Sequence, residues 1–317
     1  MTPLAWLYSS VVGLRNTMFD RELLRARKLA WPVVSIGNIS VGGSGKTPFV
    51  VMLGELLALR GVWIDVLSRG YRRSTHGVLT VNAQGAAEQY GDEPLLITRR
   101  LHCPVIVGED RFQAGLEAEA DFAGAGPNPM HLLDDGFQHR QLHRDFDIVL
   151  LNQEDLEDKL LPSGRLREPL SSLKRADVAV VESSFPAERI PKGDFGLWRV
   201  ERQLEAPEIN SPLVAFCGIA RPQRFFSDLR RKGIDVREEI VFPDHHRYTE
   251  GDVQRLSAAQ ARFPASRLIT TEKDQINLGS YLAALDPIVA KMRMRLADPE
   301  AGLKFMFSTI AERRACR

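Results

Sequence analysis

Short runs of apolar, mostly β-branched residues recur along the first 185 residues and alternate with segments of helical or loop character. These runs predict strands at 31–36, 63–67, 104–107, 131–133, 146–151 and 176–181. Strands that alternate with helices in this way are typical of parallel βαβ units. The pattern therefore predicts an α/β fold with a doubly wound, mostly parallel sheet, in which ligands bind beyond the carboxyl ends of the strands.

After about residue 185 the pattern changes, because prolines at 186, 191, 207 and 212 interrupt a polar stretch. A second pattern then predicts strands at 213–217, 234–241, 267–271 and 289–296, and helices at 222–232 and 250–263. We therefore predict three parts: an N-terminal helix over residues 1–31, a larger α/β domain over 32–200 and a second, smaller α/β domain over 201–317.

Apolar residues near the N-terminus recur at intervals of three and four, as at Leu7, Val11, Leu14 and Met18, which predicts an amphipathic helix. The apolar part is much shorter than the about 18–20 residues that a membrane-spanning helix needs. Its basic residues follow the apolar part, which is the reverse of the order in a signal peptide. A helix with aromatic anchors and a basic flank is typical of a membrane interface. The alternative is a terminal helix that packs on the protein's own core.

The composition is that of an ordinary globular chain: 44% of its 317 residues are hydrophobic, and 42 Lys+Arg face 41 Asp+Glu. This balance excludes a disordered chain, a polytopic membrane protein and a strongly basic nucleic-acid binder. Three scattered cysteines predict neither a disulfide framework nor a zinc site, and they favour a reducing compartment. We expect no nucleic-acid partner and no obligate protein partner.

A glycine-rich loop follows the first predicted strand, and residues 40–47 read SVGGSGKT. The second half fits the Walker A pattern, although Ser40 stands where that pattern has its first glycine. Lys46 would reach the β- and γ-phosphates of a nucleotide, and the Thr47 hydroxyl would ligate Mg²⁺. The next helix is predicted to end with Gly61 as its C-cap, so its N-terminus would point at the phosphates. This P-loop makes 32–200 the predicted nucleotide-binding and catalytic domain. The residues predicted to bind the nucleotide here are Ser40, Val41, Gly42, Gly43, Ser44, Gly45, Lys46 and Thr47.

Two adjacent carboxylates, Asp134 and Asp135, follow the predicted strand at 131–133. In nucleoside-triphosphate enzymes a carboxylate at the end of a neighbouring strand holds Mg²⁺. An Asp-Asp-Gly run is also good turn chemistry, but the P-loop upstream favours a metal site. The sequence leaves open which of the two aspartates contacts the metal.

Guanine-nucleotide switches read their base with Asn-Lys-x-Asp, and the nearest run here is TEKD at 271–274. Its lysine and aspartate are adjacent and no asparagine precedes them, so the sequence favours ATP over GTP. A kinase also needs a group that orients or deprotonates the acceptor hydroxyl. Asp92 and Glu93 offer two carboxylates, and 244–246 (DHH) offers an imidazole. The alternatives are a helix start and a surface turn, respectively.

Taken together, these motifs resemble the tetraacyldisaccharide 4′-kinase family. The matching runs are VVSIGNISVGGSGKTP at 33–48, LSRGY at 67–71, GDEP at 91–94, DDGFQH at 134–139, LPSGRLRE at 161–168, FCGI at 216–219, DH at 244–245 and TEKD at 271–274. The family also lacks the first Walker A glycine. The resemblance implies transfer of the γ-phosphate of ATP, with Mg²⁺, to the 4′-hydroxyl of an acylated glucosamine disaccharide 1-phosphate. The expected location is the cytoplasmic face of the bacterial inner membrane, on which the enzyme is peripheral.

The resemblance also implies roles for single residues. Asp92 is expected to be the base that activates the 4′-hydroxyl, oriented by His245, which is preferred over His246 because it directly follows an aspartate. The other expected roles are Mg²⁺ ligation by Thr47 and Asp134, with Asp135 and Glu168 as alternative ligands or as groups just outside the ligand set, and neutralisation of the transferring phosphoryl group by Arg111 and Arg167. A basic loop after the strand at 63–67 suggests that the 1-phosphate of the substrate binds Arg69, Arg72 and Arg73.

Two other functions remain open at the level of sequence. One is a P-loop switch or partner-binding ATPase, which would leave the Asp-His pair of the second domain unexplained. The other is a soluble small-molecule kinase, whose N-terminal helix packs on its core. A membrane lipid as acceptor substrate favours placing that helix in the membrane interface.

Overall fold

The computed structural model describes residues 3–209 and 211–316, so residues 1, 2 and 317 of the predicted terminal parts lie outside the described range. The helices are α1 (Pro3–Asp20), α2 (Lys46–Ala58), α3 (Ala87–Tyr90), α4 (Asp92–Leu101), α5 (Arg111–Asp121), α6 (Pro222–Arg231), α7 (Glu250–Ala261), α8 (Glu272–Leu278), α9 (Leu282–Leu285) and α10 (Pro299–Ala315). The strands are β1 (Val33–Asn38), β2 (Ile64–Ser68), β3 (Leu79–Thr80), β4 (Val105–Val107), β5 (Met130–Asp134), β6 (Phe146–Leu150), β7 (Val178–Glu182), β8 (Gly196–Glu205), β9 (Leu213–Cys217), β10 (Val236–Val241), β11 (Arg267–Thr271) and β12 (Ile288–Leu296).

The strands of the described residues form one sheet, in the order β10-β9-β11-β12-β8-β7-β6-β1-β5-β2-β4-β3. The strands from β8 to β4 in this order are parallel to one another, and β3 closes that edge in the antiparallel direction. The other four strands are also parallel to one another. The direction reverses where β12 pairs with β8. We call the two parallel sets the first block (β1–β8) and the second block (β9–β12). The predicted mostly parallel α/β sheet is confirmed.

Apolar cores cover both faces of each block, because neighbouring residues of a strand point to opposite faces. In β1, Val34 packs with α2, α4 and α10, whereas Val33 packs with α5. In β9, Ala215 packs with α6 and Val214 packs with α7. Burial on both faces explains why the parallel strands are continuous apolar runs.

Strand β8 lies within the polar stretch that the prolines delimit. Its buried residues Trp198, Val200 and Leu204 alternate with more exposed ones, so the strand has the period of two expected of a sheet. The predicted boundary between residues 200 and 201 lies inside this strand, and the division into separate domains stays a prediction. Helix α2 ends at Ala58 with Leu59 as its C-cap, so the predicted cap Gly61 was wrong by two residues.

Candidate active site

One cavity of about 740 Å³ lies where the carboxyl ends of strands from both blocks meet. The first block contributes the segments that follow β1, β2 and β5, and the second block contributes those that follow β9, β10 and β11. Ligands of open α/β sheets bind at this end of the strands. The topology thus gathers in one place motifs that are far apart in the sequence.

The glycine-rich loop between β1 and α2 forms one wall of this cavity. Gly43 has φ +47° and Gly45 has φ +84°, a left-handed backbone that strongly favours glycine. The second block also presses against the loop, because a Cβ atom on Gly43 would lie 2.7 Å from Cγ of Arg221 and one on Gly45 would lie 2.6 Å from Cε of Met294. The loop leads directly into the N-terminus of α2, whose free N–H groups favour an anion.

Lys46, the first residue of α2, contacts Asp135, the second residue of the Asp134–Asp135 pair. Its Nζ lies 3.3 Å from Oδ1 of Asp135 and donates to Oδ1 of Asn38 at 3.2 Å. Arg167 donates to the other oxygen of Asp135 at 2.8 Å. Burial alone would raise the pKa of Asp135, but these two cations outweigh it and hold that pKa well below its usual range. Asp135 is therefore an ionised partner of Lys46.

Asp134 differs from its neighbour, because it is 2% exposed and one of its oxygens is unpaired. Its Oδ2 accepts a hydrogen bond from Ser68 at 3.0 Å, whereas Oδ1 has no hydrogen-bond partner within the described residues. Burial and the nearby charges of Glu93 and Asp135 raise the pKa of Asp134 to about 7. A buried carboxyl group with one oxygen left without a hydrogen bond fits a Mg²⁺ ligand.

The described residues contain no group of three or more His, Cys, Asp or Glu side chains that could hold a metal ion on its own. This composition suits Mg²⁺ at a nucleotide, since that ion usually takes one or two protein ligands and completes its shell with phosphate and water. Thr47 lines the cavity together with Asp134. These two residues therefore fit the metal position best, and Asp135 is occupied by Lys46 and Arg167.

Asp92 and His245 meet across the two blocks, 153 residues apart in the chain. Asp92 is the first residue of α4, and its Oδ2 lies 2.8 Å from Nδ1 of His245 and 3.1 Å from the donating Nδ2 of Asn277. Burial alone would raise the pKa of Asp92, but the hydrogen bond from His245, the charge of Lys273 and the Asn277 amide lower it to about 2. Asp92 is therefore ionised at neutral pH. His246 instead contacts Asp252 at 3.0 Å.

Lys273, at the start of α8, joins the groups around Asp92. Its Nζ lies 3.2 Å from Nε2 of His245, 3.3 Å from Oε1 of Glu93, 3.5 Å from Oδ1 of Asp244 and 3.8 Å from Oδ2 of Asp92. Burial alone would lower the pKa of Lys273, but the three carboxylates raise it above its ordinary value. An ammonium group only donates, so Nε2 of His245 accepts and the ring proton resides on Nδ1, which donates to Asp92.

The remaining predicted residues divide between the cavity wall and its surroundings. Those that line the cavity are Arg69, Arg72 and Arg167, together with the loop residues from Val41 to Gly45. In the described part of the chain, Ser40, Arg73, Arg111 and Glu168 do not line it. Arg73 donates to carbonyl groups and contacts Glu109 at 2.9 Å, so its guanidinium faces the protein interior. It is therefore less suited to bind a substrate phosphate than Arg69 and Arg72.

Sequence reasoning missed Lys273 and Asn277 as parts of the site. The TEKD run serves in the sequence analysis as a failed base-reading motif and as one of the runs that carry the resemblance, but neither use assigns Lys273 a role, and its separation from Asp92 leaves no local signal. Asp274 of the same run has a structural role, because its buried carboxylate accepts from the Gly218 N–H at 2.7 Å and from the Tyr248 hydroxyl at 2.8 Å. A charged residue in a strand-to-helix turn, next to a buried aspartate, was the available signal for Lys273.

Comparison with known proteins gives concordant results. The model of the tetraacyldisaccharide-1-P 4′-kinase family matches residues 1–310. A tetraacyldisaccharide 4′-kinase of Koribacter versatilis is 46% identical over 99% of both chains, and one of Aquifex aeolicus is 38% identical over 89% of this chain and 90% of its own. The crystal structure of LpxK from Aquifex aeolicus in complex with ATP superposes with a TM-score of 0.78 at 34% identity, and covers 97% of this chain and 98% of that one.

Proposed function

The chain belongs to the tetraacyldisaccharide-1-P 4′-kinase family. We propose that it transfers the γ-phosphoryl group of ATP to the 4′-hydroxyl of a tetraacyl glucosamine disaccharide 1-phosphate. This reaction belongs to lipid A biosynthesis. The observation that carries the proposal is the ionised Asp92, which faces the P-loop across one cavity and is held by His245 from the opposite block.

Asp92 is the proposed base for the 4′-hydroxyl. A carboxylate with a pKa of about 2 is a weak base, but phosphoryl transfer passes through a loose transition state, in which the attacking oxygen becomes acidic only as it bonds to phosphorus. Proton transfer to Asp92 is therefore late and needs no strong base. His245 donates through Nδ1 and is itself held at Nε2 by Lys273, so its role is to orient the carboxylate and not to carry the proton away.

The phosphates of ATP would bind the loop from Val41 to Gly45 and the N-terminus of α2. Lys46 would exchange its contact with Asp135 for the β- and γ-phosphates, while Arg167 keeps Asp135 paired. Thr47 and Asp134 would hold Mg²⁺. Glu168, which the resemblance also suggested as a ligand, does not line the cavity and is left out of this proposed metal site. The chemistry that the metal would supply there is neutralisation of the negative charge on the phosphates.

Arginines near the cavity supply the remaining positive charge. Arg111 is buried, and the charges of Arg69, Asp135 and Asp134 all act on it, so it lies close enough to influence the transferring group. Arg69 and Arg72 line the cavity beside Tyr71, and we propose them for the 1-phosphate of the acceptor.

The N-terminal helix is the proposed contact with the membrane surface. Its residues Trp6, Leu7, Val11 and Leu14 are 58–66% exposed, which forms an apolar face toward solvent. Within residues 3–209 and 211–316, no helix has the length and apolarity needed to cross a bilayer. An exposed apolar face beside basic residues favours a helix that lies in the interface. Because the acceptor is a membrane lipid, we propose a peripheral location at the cytoplasmic face of the inner membrane.

The test is a transfer assay with γ-labelled ATP, Mg²⁺ and three acceptors: the tetraacyl disaccharide 1-phosphate in mixed micelles, the same micelles without it, and a water-soluble glucosamine disaccharide. We expect label on the lipid alone. An Asp92→Asn variant, which keeps the size of the side chain, should lose this label.

Two results would contradict the proposal. Label that appears only as free phosphate, with or without lipid, would instead favour a switch-type ATPase. Equal labelling of the soluble sugar and the lipid would favour a soluble kinase, whose N-terminal helix packs on the core without serving a membrane.

A further inference from the structure

Helix α1 has two faces with different surroundings. The outer face, with Leu7, Val11 and Leu14, is exposed. The inner face is half-buried and contains Tyr8, Val12, Arg15, Asn16 and Phe19, at helical spacing. A helix that served only as an anchor would need the outer face alone, so the contacts of the inner face call for a separate explanation.

The inner face is hydrogen-bonded to two consecutive residues far along the chain. The Tyr8 hydroxyl donates to the backbone carbonyl of Arg167 at 3.0 Å, and Nδ2 of Asn16 donates to Oε2 of Glu168 at 2.8 Å. Glu168 is 2% exposed, and its Oε2 also accepts from Arg175 at 2.8 Å. Its Oε1 has no hydrogen-bond partner in the described part of the chain. Asn16 therefore satisfies a buried charge, which makes its hydrogen bond stronger than a neutral one.

The segment that contains Arg167 and Glu168 is in turn paired with the entrance of the P-loop. The Arg167 N–H donates to the carbonyl of Ile39 at 2.7 Å, and the Val41 N–H donates to the carbonyl of Arg165 at 2.8 Å. Ser40 and Leu166 form an antiparallel bridge between them. The segment 39–41 before the phosphate loop is thus paired with the segment 165–167. Helix α1 is hydrogen-bonded to the second of these segments and to Glu168, which follows it.

A second route leads from the same face to the same loop. Arg15 donates to the Gln138 carbonyl at 2.9 Å, and Nε2 of Gln138 donates to the Asn38 carbonyl at 2.8 Å. The side chain of Asn38 accepts from Lys46. Both routes end at the residues that frame the phosphate position, although α1 contributes no residue to the cavity wall in the described part of the chain.

We infer that Tyr8 and Asn16 are positioning residues for the nucleotide site: the inner face of α1 fixes the Arg167–Glu168 segment, and through it the wall of the P-loop, while the outer face contacts the membrane. This inference rests on the proposed function for the role of the nucleotide. It adds that α1 is a structural part of the phosphate site. Its inner face would then determine nucleotide affinity and its outer face membrane binding, and the two properties can be changed separately.

The two properties are tested with variants of the full-length protein on opposite faces. On the inner face, Asn16→Ala removes the hydrogen bond to Glu168, and Tyr8→Phe removes only the hydroxyl group. On the outer face, Leu7→Ser and Val11→Ser reduce the apolar surface. Thr17→Ala is the matched control, since Thr17 is exposed and its hydroxyl donates only to the Gly13 carbonyl within α1.

Two measurements are made on each variant: affinity for a fluorescent ATP analogue with Mg²⁺ in detergent without lipid substrate, and sedimentation with vesicles that contain anionic lipid. The inner-face variants should lose about tenfold in nucleotide affinity, with vesicle binding and the far-ultraviolet circular dichroism unchanged. The outer-face variants should lose vesicle binding and keep nucleotide affinity, and Thr17→Ala should change neither quantity.

The inference is overturned if Asn16→Ala and Tyr8→Phe bind the nucleotide analogue as the unmodified protein does. It is also overturned if inner- and outer-face variants lose both properties together, because α1 would then act only as one folded unit. Failure of the proposed function would look different: the unmodified protein would bind the analogue but would not label the lipid.

Discussion

Replacing Lys273 by methionine removes a buried positive charge while nearly conserving side-chain length. The change leaves Asp92 in place with its bonds to His245 and Asn277, so the proposed base stays oriented but its carboxylate becomes more basic. We therefore predict that the pKa of Asp92 rises and that kcat/KM of Lys273→Met declines at acidic pH, where the unmodified enzyme does not.

The magnitude follows from the 3.8 Å between Nζ of Lys273 and Oδ2 of Asp92. At an effective dielectric constant of about 20, this distance corresponds to roughly 4 kcal/mol, and a neighbouring opposite charge typically shifts a pKa by about 1–3 units. We therefore expect a rise of roughly 1–2 units, from about 2 to between about 3 and 4.

The assay is the pH dependence of kcat/KM between pH 3 and 8, and it needs saturating Mg²⁺. Burial raises the pKa of Asp134 to about 7, so at low Mg²⁺ its protonation would produce an acid limb of its own. Lys273→Arg, which keeps a charge, is the control and should retain a flat profile. If Lys273→Met lowers kcat equally at all pH values, Lys273 acts on the phosphoryl group or the fold, and the argument about the base is refuted.

The other predictions concern the metal, the nucleotide, the base and the fold. Asp92→Asn should lower kcat by roughly 10²–10⁴-fold in the transfer assay with little change in the KM for ATP; an intact kcat with a raised KM for lipid would make Asp92 a binding residue. Lys46→Ala should abolish turnover, because the transferring group loses its main cation, and measurable product would contradict that role. Asp134→Asn should shift the Mg²⁺ activation curve to higher concentration, and in the unmodified enzyme the Mg²⁺ requirement should fall as pH rises through about 7; an unchanged curve would assign the metal elsewhere. Burial alone would lower the pKa of His131, but the two carboxylates that flank its ring at 2.8 and 3.3 Å raise it to about 9. Its contribution to stability, up to about 3 kcal/mol, should be complete below about pH 6.5 and lost as pH rises through about 9, and urea unfolding of His131→Gln should lack this pH dependence.

Local patterns predicted the parts of the structure that local physics determines. The strand before the P-loop, the loop itself and α2 are consecutive, so one stretch of sequence contains the whole motif. Asp134 and Asp135 end a buried strand, and a parallel sheet brings the carboxyl end of β5 beside that of β1. Strand β8 was missed, because its period of two lies in a polar stretch between prolines that indicated an interruption of the fold.

The environment of the base could not be predicted in the same way. Lys273 is 181 residues from Asp92, and the TEKD run gives no indication of which residues of the first block lie near it in the fold. Among the described residues, the antiparallel pairing of β12 with β8 is what joins the two blocks into one sheet. That pairing depends on a strand whose own signal was weak, so the resemblance to a family suggested Asp92 and His245, whereas Lys273 and Asn277 required the structure.

The division of the site between the blocks explains why so many charged contacts cross the cavity. The P-loop and Asp92 belong to the first block, whereas His245 and Lys273 belong to the second, so each half alone contains an incomplete site. Arg221 spans the gap on one side, 3.0 Å from Glu154, and Lys273 spans it on the other. These ion pairs are partly exposed, since the side chains of Glu154 and Glu93 are 51% and 33% exposed, so they contribute little net stability. Their role here is positional: they keep His245 and Lys273 of the second block beside Asp92, the proposed base, in the first block.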